Sequence, residues 1–219
     1  MKQMTTQELD SLCRNGTAID SQGGYPCVVI HPDQTITKIW AIKKRFFSSN
    51  TLSHYATRFV NNAARLAALG IRVPEILEHA KVENSHIRVV KYKSLPGKSM
   101  RELLKEDPDQ VDIPDLCRFI FSLHELGILY RSIHLGNIIQ TAPGEYGLID
   151  FTDVKFYNKP VPLLRRAANL AFPLRYDKDA KRIKKAKLPK ILKSYLALLK
   201  LDKAHKKEFK QHFKHYKKR

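Results

Sequence analysis

Two polar side chains, Asn137 and Asp150, are of the types that could together hold a metal ion. They are thirteen residues apart, and each lies beside a short apolar segment, in LGNII and GLIDF. An amide oxygen and a carboxylate on neighbouring loops can bind Mg²⁺ against the phosphates of a nucleotide. The competing interpretation is that Asn137 forms a turn and Asp150 caps the end of a strand.

The segment that precedes Asn137 favours the metal interpretation. Residues 130–137, YRSIHLGN, align with the catalytic loop of protein kinases, H-R-D-L-x-x-x-N, and Asp150 in LIDF then stands where D-F-G is expected. The alignment predicts that ATP and Mg²⁺ are the cofactors, that Asn137 contacts both, and that Asp150 binds the metal. We expect catalytic roles for Ser132, His134 and Asp150.

A strand lysine is the third part that such a site needs, because it grips the α- and β-phosphates. Lys38 lies on the predicted third strand and is the first choice, with Lys43 and Lys44 as alternatives near the end of that strand. Gly23 and Gly24 stand at the first hairpin turn, where their amides could cover phosphates. Two glycines suit an ordinary hairpin equally well.

Two departures from the kinase pattern bear on activity. Ser132 occupies the position of the catalytic aspartate, and a serine cannot serve as that base. Loss of a general base costs on the order of 10²- to 10⁴-fold in rate, although loose phosphoryl transfer depends more on positioning and charge. His134, as a cation near the transferring phosphate, or Asp153 could substitute in part, although the competing and favoured interpretation of His134 is a histidine that packs within the loop. In the first helix, Asn61 or Asn62 replaces the glutamate partner of the strand lysine.

Longer stretches resemble one family. LHELGILYRSIHLGNII, GLIDFTD and SHYATRFVNNAARLAALGIRVPEIL look like the InaA-like branch of the lipopolysaccharide core (Kdo and heptose) kinase family, over residues 20 to 176. The resemblance implies ATP-dependent phosphorylation of an inner-core sugar at the cytoplasmic face of the inner membrane.

The order of the predicted elements is that of a kinase small lobe followed by a truncated large lobe. Hydrophobic periodicity predicts three antiparallel strands over 17–42, a helix over 53–69, a hairpin over 75–95, helices over 99–107 and from 112 onward, two short segments, and helices after 162. We therefore predict an α+β, small two-lobed protein-kinase-like fold with a truncated, helical C-terminal lobe. The predicted divisions are 1–94, 95–177 and a basic helical extension over 178–219.

The net charge of +19 is concentrated at one end of the chain. Residues 178–219 hold 17 Lys or Arg against three acidic residues. Such an extension suits an anionic surface, which could be a membrane, a phosphorylated glycolipid or nucleic acid, or else it is a solvated helix face. Three arginines after the metal loop could contact an anionic acceptor or could equally be solvated surface residues: Arg165, Arg166 and Arg175.

The composition limits the class of protein. An apolar content of 43% argues against disorder, and no run approaches the roughly 20 apolar residues of a membrane span. The polar start MKQMTTQELD lacks the apolar segment of a signal peptide. We expect a cytoplasmic protein with peripheral association with the inner membrane.

Three functional hypotheses follow. The first is a kinase that acts on a lipopolysaccharide core sugar or another anionic glycolipid, with its tail on anionic lipid. The second is a nucleotide-binding pseudokinase, for which Ser132 is the evidence. The third is a nucleic-acid-associated kinase-like protein, although Phe209, Phe213 and Tyr216 are spaced for one helix face and need not stack on bases.

Overall fold

The structure is a computed structural model that divides into two compact units, Met1–Leu95 and Pro96–Arg219. We predicted divisions after residues 94 and 177, whereas here the basic extension falls within the second unit. The structure describes residues 1–22, 24–41, 54–109, 111–175 and 187–217.

A six-stranded mixed sheet forms the first unit. Its strands are β1 (Lys2–Met4), β2 (Thr17–Gln22), β3 (Tyr25–Ile30), β4 (Thr35–Trp40), β5 (Ile76–Val82) and β6 (Arg88–Lys93). Their order across the sheet is β1-β5-β6-β4-β3-β2, and only the β1–β5 pair is parallel. Burial alternates along β4 from residue to residue, as expected when both faces of a strand are covered unequally. The predicted antiparallel strands are confirmed.

Helix α1 (Thr6–Arg14) covers one face of this sheet and was not predicted. Its first turn is closed by a capping box, in which Thr5 N–H donates to Glu8 Oε2 at 2.6 Å and Glu8 N–H donates to Thr5 Oγ1 at 3.2 Å. Leu9 is fully buried in one cluster with Val29 and Ile39. The T-x-x-E pattern was the signal in the sequence.

Helix α2 (Tyr55–Ala68) covers the opposite face of the sheet. Successive side chains of a strand point to opposite faces, so Trp40 points to the face opposite that of Ile39. Phe59 packs its ring at 5.8 Å from that of Trp40 and at 5.5 Å from that of Tyr92. The predicted helix is confirmed from Tyr55 onward, and its predicted start at residue 53 lies outside the described residues, as do Lys43 and Lys44.

The second unit combines short strands with helices. Its elements are β7 (Lys98–Ser99), α3 (Met100–Glu106), α4 (Ile113–Glu125), β8 (Ile128–Tyr130), β9 (Ile138–Ala142), β10 (Glu145–Leu148), β11 (Val154–Phe156), α5 (Leu163–Ala171), α6 (Lys187–Leu198) and α7 (Lys203–Lys217). The strands form a three-stranded sheet, β10-β9-β7, and a two-stranded ladder, β11-β8.

The described part of the basic extension contributes to the core of this unit. Helix α6 packs against α4, and α7 packs against α5. Tyr195, Phe209 and Phe213 are buried, and the Tyr195 and Phe209 rings stack at 5.7 Å. The two phenylalanines therefore cannot serve as stacking platforms for bases. In the ranges that the structure describes, no helix is both long and apolar enough to cross a bilayer.

Candidate active site

Strand pairing brings Asn137 and Asp150 together. Asn137 ends a single 3₁₀ turn directly before β9, and Leu148 of β10 pairs with Ile138 of β9. The ladder continues by one bond, in which Ile149 N–H donates to Asn137 O at 3.0 Å. Asp150 follows immediately, so the amide and the carboxylate lie at the same end of one ladder.

The Asn137 side chain is oriented by its own loop. It is 7% exposed, and its Nδ2 donates to the carbonyl oxygen of Ser132 at 3.5 Å. Because the amino group faces the loop backbone, Oδ1 is the atom available to a cation. Mg²⁺ in nucleotide sites is commonly held by one or two side chains plus phosphate oxygens. The donors Asn137 and Asp150 fit such an ion.

Asp150 is exposed and has a left-handed backbone, with φ 53° and ψ 46°. Few residues other than glycine adopt this conformation, and it persists where surrounding contacts enforce it. The buried Tyr130 hydroxyl lies 2.7 Å from Ile149 O and 2.9 Å from Asp150 O, and it is the donor to this pair of carbonyls. Tyr130 therefore holds the backbone that presents the Asp150 carboxylate.

A buried polar network supports Tyr130 from three helices. Asn169 of α5 donates from Nδ2 to Tyr130 O at 2.8 Å, and its Oδ1 accepts from His124 Nε2 at 3.0 Å. The hydroxyl of Tyr195 on α6 donates to His124 Nδ1 at 2.5 Å. Burial lowers the pKa of His124 to about 4, so the ring is neutral and can both donate and accept. The metal loop is thus anchored to α4, α5 and α6.

At the Ser132 end of the catalytic loop, the nearby carboxylate is that of Asp153, which lies outside the loop. Ser132 is half-buried and follows Arg131, whose guanidinium forms an ion pair with Asp153. Arg131 N–H also donates to Asp153 O at 3.0 Å. Asp153, which we considered as a partial replacement for the missing base, is therefore held by this arginine.

His134 accepts two donors at one ring nitrogen. Gly136 N–H lies 3.1 Å from His134 Nδ1, and Nη2 of Arg101 lies 3.2 Å from the same atom. An arginine only donates, so Nδ1 carries no proton and the imidazole is neutral in this arrangement. These bonds match the interpretation of His134 as a histidine that packs within the loop, and they place the guanidinium of Arg101 beside it.

Gly136 makes room for that guanidinium. A Cβ atom at residue 136 would lie 2.6 Å from Arg101 Nη1. Sequence reasoning missed Arg101, which belongs to α3 and matches no motif. It also missed Tyr130, Asn169 and His124 as supports of the loop, since only the folded chain shows their contacts.

Lys38 lies at the centre of the first unit's sheet. It pairs with Val28 and Val90, and its Nζ lies 5.5 Å from the Trp40 ring centre and 5.6 Å from that of Phe59. Helix α2 contains no acidic residue, as predicted from Asn61 and Asn62, and the ammonium of Lys38 lies over aromatic rings. Such cation–π contacts are worth on the order of 0.5–1 kcal/mol at exposed sites.

The structure also describes three of the four asparagines and glycines that the sequence singled out in the first unit. Asn62 is half-buried one turn after Phe59, on the helix face that covers the sheet, whereas Asn61 is exposed. Gly24 has φ +83° and lies in the two-residue connection of the β2–β3 hairpin, and Gly23 lies outside the described residues.

Arg166 does not have the role we predicted for it. Its side chain is buried, donates from Nε to Val161 O at 2.6 Å and pairs with Glu125 at 2.5 Å. A guanidinium in those bonds cannot meet an acceptor. Arg165 is exposed, and the side chain of Arg175 lies outside the described ones.

Comparison with known proteins supports the fold. No protein-family model matches the chain, and no curated protein matches it. The chain is similar to a solved structure described as the crystal structure of monomeric WbdD, with a TM-score of 0.52 and 15% sequence identity over 88% of this chain. The fold is protein-kinase-like.

At 15% identity this similarity concerns the fold alone. The match covers 44% of the WbdD chain, so the present chain spans less than half the length of that protein. Membership of the InaA-like branch stays a prediction from the sequence, since no family model matches.

Proposed function

We propose that this protein is an ATP-dependent phosphotransferase whose acceptor is a sugar of the lipopolysaccharide inner core or another anionic glycolipid. The observation that carries the proposal is the pairing of the Asn137 and Asp150 ends of β9 and β10, through the 3.0 Å bond from Ile149 N–H to Asn137 O. The protein-kinase-like fold supports the same reaction class, and the sequence resemblance supplies the acceptor.

In this proposal, Asn137 and Asp150 would hold Mg²⁺, which would supply positive charge to neutralise and orient the nucleotide phosphates. Lys38 grips the α- and β-phosphates. The acceptor hydroxyl oxygen attacks the γ-phosphorus, the bond to the β–γ bridging oxygen breaks, and ADP leaves. Because Ser132 cannot take the hydroxyl proton, this proton passes to solvent or to the transferred phosphoryl group. Transfer is therefore slow compared with a kinase that has the aspartate.

Arg101 adds a positive charge beside the loop that carries Asn137. It contacts His134 and lies over Gly136, directly before the metal ligand Asn137. A fixed guanidinium stabilises charge on a phosphoryl group in transfer. Arg101 thus takes the part that we had assigned to His134.

A pseudokinase is the second candidate, and a specific observation favours it. Ser132 replaces the base, and the nearby carboxylate of Asp153 is paired with Arg131. A protein with this loop could bind nucleotide and metal, and regulate a partner, without transferring phosphate. The nucleic-acid hypothesis rests on the charge of the extension alone, since the rings of Phe209 and Phe213 are buried.

The deciding experiment is Mg²⁺-dependent transfer of the γ-phosphate from labelled ATP to a core-oligosaccharide extract. We expect labelled sugar with the wild-type protein and none with Asp150→Asn. Glu145→Gln is the matched control, since Glu145 is an exposed acidic residue at the opposite end of β10. ATP binding without labelled product would favour the pseudokinase. Label that is insensitive to Asp150→Asn would contradict the proposed site.

A further inference from the structure

A groove lies between α6 and α7, away from the residues of the catalytic loop. Its volume is about 460 Å³. Four apolar residues and three lysines line it: Pro189, Leu192, Leu196 and Ala197, with Lys193, Lys206 and Lys210. The lining contains no acidic residue, so the groove joins an apolar floor to a positively charged rim.

The outer face of α7 extends the positive rim. Five lysines line a second depression of about 440 Å³ beside the first: Lys203, Lys206, Lys207, Lys210 and Lys214. Lysines four residues apart on a helix repel each other by a few tenths of a kcal/mol per pair. The burial of Phe209 and Phe213 on the other side fixes the lysines on one face. This arrangement favours an anionic partner.

We propose that the groove binds one anionic phospholipid at a bilayer surface. The headgroup phosphate lies among Lys193, Lys206 and Lys210, and the first part of an acyl chain lies against Leu192 and Leu196. An inorganic phosphate or a nucleic-acid backbone would use the lysines and leave the apolar floor in water. An amphiphile with a negative headgroup uses both surfaces, since lysine stems lie along apolar surface while the ammonium meets the phosphate.

This inference goes beyond phosphoryl transfer and does not depend on it. None of the groove residues belongs to the catalytic loop or to β9 and β10. Binding can therefore be measured without nucleotide, and failure of one proposal leaves the other standing. Truncation is unsuitable as a test, because the same helices bury Tyr195, Phe209 and Phe213 in the core.

The experiment uses the full chain and three probes: dihexanoyl phosphatidylglycerol below its micelle concentration, glycerol 3-phosphate, and phosphatidylcholine vesicles with and without phosphatidylglycerol. We expect the short-chain lipid to bind and glycerol 3-phosphate to bind at least about 10-fold more weakly, because it lacks apolar surface. Vesicle binding requires phosphatidylglycerol.

Two variants separate the floor from the rim. Leu192→Gln, at a half-buried position, is expected to weaken binding of the short-chain lipid about 10-fold. Lys193→Gln/Lys206→Gln/Lys210→Gln is expected to weaken vesicle binding about 100-fold, at roughly 1 kcal/mol per lysine. The matched control removes three exposed lysines of the second unit that line neither depression, Lys105, Lys155 and Lys159, by the same change to Gln. Vesicle binding by this control should stay within about twofold of wild type at the same ionic strength.

Three results would overturn the proposal. Equal binding of glycerol 3-phosphate and the lipid would show that the lysines bind without the apolar floor. Unchanged lipid binding by Leu192→Gln, with a melting temperature equal to that of wild type, would show the same. Tighter binding of single-stranded RNA than of phosphatidylglycerol vesicles at equal salt, with mutual displacement, would assign the lysines to nucleic acid.

Discussion

The two ends of the catalytic loop differ in how firmly the fold holds them. At the Asn137 end, the amide side chain is buried and bonded to the loop backbone, and β9–β10 pairing and the Tyr130 hydroxyl fix the facing chain that carries Asp150. At the Ser132 end, the side chain is half-buried, and the neighbouring ion pair between Arg131 and Asp153 is substantially exposed. Exposed ion pairs contribute roughly 0–1 kcal/mol, far less than a satisfied buried network can.

This contrast separates metal binding from proton transfer. In the proposed site, Asn137 and Asp150 would depend for their positions on strand pairing and buried hydrogen bonds, which survive a change at residue 132. The base would depend only on the side chain at that residue. A chain can therefore keep its nucleotide site while its transfer rate changes widely, and variants at the two ends should affect different quantities.

The largest effect is expected at the firmly held end. Asn137→Ala removes the amide oxygen, and we expect turnover at fixed Mg²⁺ to fall on the order of 100-fold or more. Titration with Mg²⁺ at saturating ATP should show a raised metal requirement. Asn137→Asp retains an oxygen ligand and should recover part of the rate; equal loss in both variants would indicate a role in folding instead.

A gain in turnover is expected from a substitution at the Ser132 end of the loop. Ser132→Asp restores a carboxylate at the base position, and kcat should rise about 10- to 100-fold, as a recovered general base would provide. Ser132→Ala serves as the control and should stay within a few-fold of wild type. Abolition of turnover by Ser132→Ala would show that the hydroxyl itself takes part in the chemistry.

The anchor of the metal loop gives an intermediate effect. Tyr130→Phe leaves the carbonyls of Ile149 and Asp150 without their donor, so the free energy of unfolding should fall by about 1–3 kcal/mol. Mg²⁺ affinity should fall about 10-fold, as for lost outer-shell contacts. Urea unfolding and metal titration measure the two quantities. Unchanged metal affinity in a destabilised protein would separate Tyr130 from the site.

The last effect concerns the pH dependence of stability. The pKa of His124 is lowered to about 4 in the folded protein, so the unfolded chain binds the additional proton between about pH 6.5 and 4. Stability should therefore fall as pH decreases through this window, by up to about 3 kcal/mol.

The comparison variant for this pH dependence is His124→Asn. Its urea midpoint should be lower at neutral pH and change less between pH 6.5 and 4.5 than that of the wild-type protein. An identical pH slope in the two proteins would assign the acid sensitivity to other groups.

The sequence predicted those parts that depend on local pattern. Alternation predicted five of the six strands of the first unit, while β1 (Lys2–Met4) was missed. The catalytic-loop spacing predicted that Asn137 and Asp150 belong together. Helix α1 was missed because its apolar face is short, although Thr5 and Glu8 form the capping box. The predicted tail helices were right, but their role in the core rests on contacts with α4 and α5 that no local pattern contains.

The supports of the site could not be predicted, for a physical reason. Arg101 meets His134 across 33 positions of the chain, and Tyr195 meets His124 across 71. Such contacts depend on how helices pack, whereas sequence periodicity indicates only which face of a helix is buried. Arg166 illustrates the same limit, since nothing near it in sequence indicated its pairing with Glu125.

The central claim is that Asn137 and Asp150 hold Mg²⁺ with a nucleotide, and equilibrium binding of ATP to the purified protein tests it most directly. Calorimetry should be run with and without Mg²⁺ on the wild-type protein, Asp150→Asn and Glu145→Gln. We predict Mg²⁺-dependent binding that Asp150→Asn weakens at least about 30-fold, by analogy with other losses at metal sites, and that Glu145→Gln leaves unchanged. Absence of ATP binding, or binding that ignores both Mg²⁺ and Asp150→Asn, would contradict the account.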